Sequence, residues 1–272
     1  LAYGIARRIF PARPALAMGA AAFVTFLPLH LATVSQVGND VLAELLFAAV
    51  LYVLVGWVVG HPERRRHAVP AESKDAWIPW LLGLLLGLIL ITKTTAYIAV
   101  PLAGVALLWR WRRKRATGAA IARDLLAVAL PAALIALPWY ARNVWAYGWP
   151  DILGLRRHDE IVVGQMRTPE FIAQFGVAAY WRRTVEWTFK SFWGVFGWMG
   201  VWLDSRFYLL VALLSGTALG GFALRVLPFL TRRSVPATAK CRAAWLLSLS
   251  ALLTLLAYAW YNLTFLQHQG RY

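Results

Sequence analysis

The sequence predicts an all-α fold, a polytopic membrane helical bundle, and three observations carry that prediction. Apolar runs near or above the roughly 18 residues that read as membrane-spanning recur along the chain. Hydrophobic residues make up 60% and charged residues only 15% of the 272, with a mean hydropathy of +0.58, outside the range of an ordinary soluble globule. The formal charge of +16 is concentrated in short linkers between the apolar runs, which is how membrane topology is encoded. A nucleic-acid partner is therefore not expected.

Taken in order, Leu1 to Phe10 reads as a helix end, followed by a basic turn with Arg7, Arg8 and Arg13. The first full run, Ala15 to Val34, is interrupted by Pro28 and His30; the proline lacks the N–H a helix needs and predicts a kink. The second, Val41 to Val59, carries Glu44 one turn in and ends in the basic linker His61 to Asp75. Trp77 to Thr92 and Tyr97 to Leu108 are shorter runs separated by Lys93-Thr94-Thr95-Ala96, a tight helical hairpin or one long kinked helix. A fifth span, Leu125 to Tyr140, contains Pro131 and Pro138. The sixth, Phe207 to Leu224, carries Gly216-x-x-x-Gly220, and the seventh is Ala244 to Tyr261. That glycine pair, like Gly83-x-x-x-Gly87, predicts close helix packing.

The long polar interruption is Trp139 to Asp204, an outer loop spanning 141–205. It holds eight of the fifteen tryptophans, seven Lys/Arg and six Asp/Glu. Within it, Phe171 to Phe192 has helical periodicity, with aromatics on one face and Arg183, Glu186 and Lys190 on another, and predicts one interfacial helix. Trp193 to Leu203 is apolar but too short to span, and Gly194, Gly197 and Gly200 would give it a smooth packing strip. The chain begins at Leu1 on what reads as a helix tail, and is expected to be one domain of a longer membrane protein.

Orientation follows from the linkers. Loops 6–14, 61–76, 109–124 and 225–243 carry 3, 4, 6 and 5 Lys/Arg, whereas 35–40, 93–96 and 264–272 carry 0, 1 and 1. The basic set is expected in the cytoplasm. The long loop, the Asn39-Asp40 turn, the Lys93 turn and Arg271 then share the outer face of a plasma (inner) membrane.

Candidate site residues come from that shared face. Asp40 reads either as a helix cap or as an acid positioning a cation or sugar hydroxyl. Glu44 is expected to face the protein interior or a cavity, since a carboxylate in lipid is costly. Lys93 and Arg142 read either as interfacial snorkelling cations or as phosphate ligands. In Arg156-Arg157-His158-Asp159-Glu160, the arginines, Arg157 among them, could bind phosphate and His158 or Asp159 move a proton, or the cluster could be a solvated ion-pair network. The five histidines lack metal-ligand spacing, and no Walker loop, dinucleotide fingerprint or nucleophile elbow occurs. Neither metal nor cofactor is expected. The lone Cys241 excludes an intrachain disulfide.

Several stretches together resemble the GT-C superfamily of polytopic glycosyltransferases, closest to the bacterial branch of protein mannosyltransferases and aminoarabinose transferases. They are Phe26-Leu27-Pro28 with Asn39-Asp40, Gly83 to Leu88 with Thr92-Lys93, Leu137 to Asn143, Ser191-Phe192-Trp193-Gly194, and Gln269-Gly270-Arg271-Tyr272. The resemblance implies transfer of a sugar from a polyprenyl-phosphate-linked donor in the membrane lipid to an acceptor on the outer side. It implies a catalytic aspartate in an outer loop ahead of Leu1, a supporting role for Asp40, a place near the carrier phosphate for Lys93, and substrate contacts for Arg271 and Tyr272. The other classes open to this composition are a transporter or flippase, with Asp40, Glu44 and Lys93 along a pathway, and a non-catalytic membrane assembly protein.

Overall fold

The computed structural model describes residues 1–59, 76–197, 199–231 and 238–270, with side chains excepted at 225–231 and 239. The linker His61 to Asp75, Arg232, Arg233 and the predicted substrate residues Arg271 and Tyr272 lie outside the described residues.

The chain is almost entirely helical. Helices α1 (Ala2–Ile9) and α2 (Pro14–Phe26) lead into α3 (Pro28–Val34). Leu27 takes an extended conformation at the junction, Pro28 starts the new helix, and the axes differ by 62°. The predicted kink is thus a full break, because Pro28 fits the first turn of α3 but not the interior of α2.

Helix α4 (Asn39–Val59) is the axis of the core. Helix α5 (Ile78–Thr92) runs antiparallel to it, a 3-10 turn over Thr94–Ile98 reverses the chain, and α6 (Ala99–Lys114) runs parallel to it. Their ends fix these directions: the Asn39 amide donates to the Thr92 carbonyl at 3.1 Å, and the Arg110 guanidinium lies 4.5 Å above the Trp57 ring. Of the two possibilities for Trp77 to Leu108, the hairpin is the one adopted. Leu54, Leu82, Ile89, Leu102 and Leu246 are fully buried between these helices.

Helix α7 (Gly118–Tyr147) is capped by Thr117, whose hydroxyl accepts from the Ala120 N–H at 3.3 Å, and continues through Pro131 and Pro138. It lies along α5 at backbone distance. A Cβ on Gly83 would collide with the Val128 carbonyl, and one on Gly87 would sit 3.0 Å from the Ala132 Cα. The predicted glycine packing is met here. It is not met at Gly216 and Gly220, around which the described residues leave open space.

Two expectations for the second half are corrected. After α8 (Leu155–Ile161), the single interfacial helix over Phe171 to Phe192 is two, α9 (Thr168–Phe175) and α10 (Val177–Gly194). They are separated by Gly176 at φ +84°, a backbone conformation only glycine adopts without strain. Trp193 to Leu203 is not an apolar helix. It forms an antiparallel hairpin of β1 (Val195–Phe196) and β2 (Val201–Trp202), with Gly197 and Met199 at positive φ in the turn. Helices α11 (Ser205–Thr231) and α12 (Ala239–Asn262) complete the bundle.

The predicted seven spans are met in part. Among the described residues, α4, α7, Ser205–Leu224 of α11 and Lys240–Asn262 of α12 are long and apolar enough to cross a membrane, making four, or five if α2 and α3 count as one bent span. Helices α5 and α6 have 15 and 16 residues, about 22–24 Å against a hydrocarbon core of about 30 Å. The chain is a multi-pass membrane protein by these helices.

Its two ends differ in chemistry. At one, the Arg8 guanidinium lies 3.5 Å over the Tyr52 ring, Arg110 covers Trp57 and also sits 3.8 Å from Asp124. The cations Arg8 and Arg110 thus lie along the C-terminal half of α4. The opposite end, where α4 begins, holds the neutral and mixed-charge groups.

Candidate functional site at the α4 N-terminal end

Asp40 and Lys93 meet. Lys93 ends α5 in an extended conformation, which turns its side chain toward the first turn of α4, and its ammonium forms an ion pair and hydrogen bond with the Asp40 carboxylate. Side-chain exposure is 20% for Lys93 and 39% for Asp40, so the pair is only partly screened by solvent. The neighbouring Asn39–Thr92 bond satisfies a C-terminal helix carbonyl that would otherwise be orphaned. Both side chains of the Asn39-Asp40 turn therefore hold α5. An anion binding Lys93 must compete with Asp40.

Next to this pair, α7 is tied to the same turn. The Tyr97 and Tyr140 hydroxyls lie 2.8 Å apart and 2.7 and 3.1 Å from the Leu90 carbonyl; with one proton each, one donates to Leu90 and the other to its neighbouring hydroxyl. Arg142 follows half a turn later. Its guanidinium donates to the Asn143 Oδ1 at 3.2 Å and lies 5.3 Å over the Trp139 ring and 5.8 Å over Tyr147. Arg142 is thus held against aromatics of its own helix.

One turn deeper on α4, the Glu44 carboxylate is 3.0 Å from the His30 Nδ1 on α3. The sequence singled out Glu44 but not its partner. The two acidic groups, four residues apart, use one face of α4 to anchor two different elements, α5 through Lys93 and α3 through His30.

The Arg156–Glu160 cluster forms helix α8 and its own ion network. Arg156 and Arg157 both bond Glu160, at 3.3 and 3.0 Å. Their backbone N–H groups donate to Asp151 at 3.1 and 3.0 Å. His158 packs edge-on against Phe265 at 5.9 Å between ring centroids. Arg157 and His158 sit in this exposed network rather than in the Asp40–Lys93 pair.

The largest assembly at this end was missed from sequence. The segment after α12 runs back along α9 and α10: Thr168 N–H donates to the Thr264 carbonyl at 3.1 Å, Tyr180 OH to Asn262 at 3.2 Å, and Gly270 N–H to the Ser191 Oγ at 2.6 Å. Asn262 is buried and bonded through both side-chain atoms, which closes it to glycosylation at its Asn-Leu-Thr sequence. His268 is 2% exposed, with Nε2 3.1 Å from the Thr184 hydroxyl. Burial first, and the Arg183 cation second, push its pKa down to about 4. It is a neutral imidazole in the folded protein.

Beside this seam lies a cleft of about 240 Å³, bounded by α3, the Ser35-Gln36 turn, the end of α10, the β-hairpin and Gln269. Two stretches that carried the family resemblance, Ser191 to Gly194 and Gln269-Gly270, meet at its edge. Each looked short and apolar in sequence; only the fold joins them. Comparison of the chain with models of known families, with curated proteins and with solved structures finds no match. Function therefore rests on the geometry of this end: a balanced Asp40–Lys93 pair, a second pair at Glu44–His30, tethered arginines, and a cleft with no charged side chain among its described lining residues. Among the described residues no three His, Cys, Asp or Glu side chains gather as a metal site would need.

Proposed function

We propose that the chain is a membrane glycosyltransferase-like protein that takes a sugar from a polyprenyl-phosphate-linked donor on the extracytoplasmic face of the plasma membrane. In this reading α5 and α6 count as two further passes, giving seven, and the basic ends lie in the cytoplasm. The observation that carries it is the pairing of Asp40 with Lys93, 53 residues apart in sequence, at the polar end of the bundle. A lysine held by an aspartate at a membrane boundary is a poised phosphate ligand: the arriving carrier phosphate exchanges with the carboxylate for the ammonium.

The chemistry would be displacement at the anomeric carbon by an acceptor hydroxyl, with the carrier phosphate leaving. Lys93 meets the charge that develops on that phosphate, and Arg142 and Arg157 add to the field. No residue of this chain is assigned as the general base. The test is transfer from a radiolabelled polyprenyl-phosphate sugar by the full-length protein in liposomes. Lys93→Ala is expected to lower the rate by about 100-fold, as loss of a charge-stabilising donor does; an unchanged rate removes Lys93 from the phosphate.

The bent α2–α3 pair with the His30–Glu44 contact supports a second reading, a transporter, because broken helices and intramembrane ionisable pairs mark substrate paths. In that case Glu44→Gln would abolish solute flux into vesicles and the protein would transfer no sugar.

A further inference from the structure

We infer that the cleft between α3, α10 and the β-hairpin binds one uncharged, hydroxyl-rich ring. The assignment deepens the transferase reading and rests on it for the ring's role, as the neutral sugar unit of donor or acceptor.

Size comes first. At about 240 Å³ the cleft is smaller than the roughly 300–1,000 Å³ sites of drug-sized ligands, and it suits a single ring rather than a nucleotide or a lipid chain.

Hydrogen-bond polarity comes second. Three hydroxyls line the cleft, and each has already committed its proton. Thr33 donates to the Leu29 carbonyl at 2.9 Å, Ser35 to Ala32 at 2.9 Å, and Ser191 to Thr188 at 3.3 Å. A hydroxyl has one proton and two lone pairs, and only Ser191 has a lone pair already engaged, by the Gly270 N–H, so what these walls still offer is acceptors. Gln36 adds an amide that both donates and accepts. An anion needs donors or cations, and no Lys or Arg is among the described lining residues. An ammonium would find acceptors but no carboxylate, because no Asp or Glu is among the described lining residues. A polyol donates into the lone pairs and accepts from the amide. Phe196 provides an apolar wall for its C–H face.

The division of labour is then spatial. The cleft takes the neutral ring, and the Asp40–Lys93 pair belongs to charge.

The experiment titrates the full chain in lipid nanodiscs with methyl glucopyranoside, glucosamine and glucose 6-phosphate, read by saturation-transfer NMR. The neutral glycoside is expected to bind at least about ten-fold tighter than either charged analogue. Gln36→Ala, at an exposed turn, should weaken it about ten-fold, and Ala32→Phe, which fills the cleft, should abolish it with the thermal midpoint retained. Tighter binding of the phosphate or the amine, or glycoside binding indifferent to both variants, overturns the assignment. Glycoside binding in a protein that transfers no sugar keeps the cleft and removes the transferase reading. Transfer activity untouched by both variants keeps the transferase and removes the cleft.

Discussion

Two glycine pairs with the same spacing met different fates. Gly83 and Gly87 on α5 let α7 approach to backbone contact, whereas Gly216 and Gly220 on α11 face open space among the described residues. The surrounding helices differ in the same sense: 39% of the α4 span is buried against 11% of the α11 span. Membrane helices gain little from hiding apolar side chains from lipid, so association depends on close packing and polar ties. Around α4 both are present, in the Asp40–Lys93 and Asn39–Thr92 contacts and the tyrosines at Leu90. Along the glycine face of α11 neither is.

The sharpest way to break the comparison is to place a side chain at each pair. Gly83→Val pushes a methyl group into the Val128 carbonyl and is expected to cost about 3 kcal/mol or more, read as a lost folded fraction in detergent unfolding. Gly216→Val is expected to stay within about 0.5 kcal/mol. Equal losses would mean that the α11 face is packed in the membrane.

A smaller effect tests the polar ties. In a double-mutant cycle with Asp40→Asn and Lys93→Met, unfolding should reveal a coupling of about 1 kcal/mol, because the pair is partly exposed and no more than that survives solvent screening. Zero coupling would leave the α4–α5 contact to glycine packing and core leucines alone.

The smallest is set by His268. Its folded pKa near 4 lies below the ordinary 6.5, so folding favours the neutral ring. The stability it contributes is complete above pH 6.5 and is lost as pH falls from 6.5 toward 4. Hydrogen exchange at residues 262–270 should accelerate over that window in the wild type and lose its pH dependence, beyond intrinsic exchange, in His268→Gln.

Four or five of the spans, the break at Pro28 and the placing of Arg8 and Arg110 at one end were legible because each follows from local composition. Pro28 lacks the N–H a helix interior uses, and arginines in short linkers are costly to place in lipid. The interfacial helix was half legible. Its aromatic periodicity survives, but Gly176 divides it, since a glycine at positive φ is invisible to a period count. The 195–202 hairpin was misread because three glycines at regular spacing suit a packed helix as well as a turn. Of the site, Asp40 and Lys93 could be nominated singly. Their partnership could not, nor could the cleft, whose Thr33, Gln36 and Ser191 are ordinary polar residues until a fold brings α3 and α10 together. Glu44 flagged itself as an acid in an apolar run; His30, two residues beyond Pro28, was the signal available for its partner.

The strip of chain that returns along α9 and α10 sets a timetable. Thr168 closes its hydroxyl bond on Asn262, 94 residues later, and Ser191 waits for Gly270, 79 residues later. At about 5–20 residues per second on a ribosome, roughly 5–20 s separate the synthesis of α9 and α10 from the arrival of the segment that clasps them. During that interval the cleft has no Gln269 wall. This end of the bundle is therefore closed only after the helices that carry it have been made.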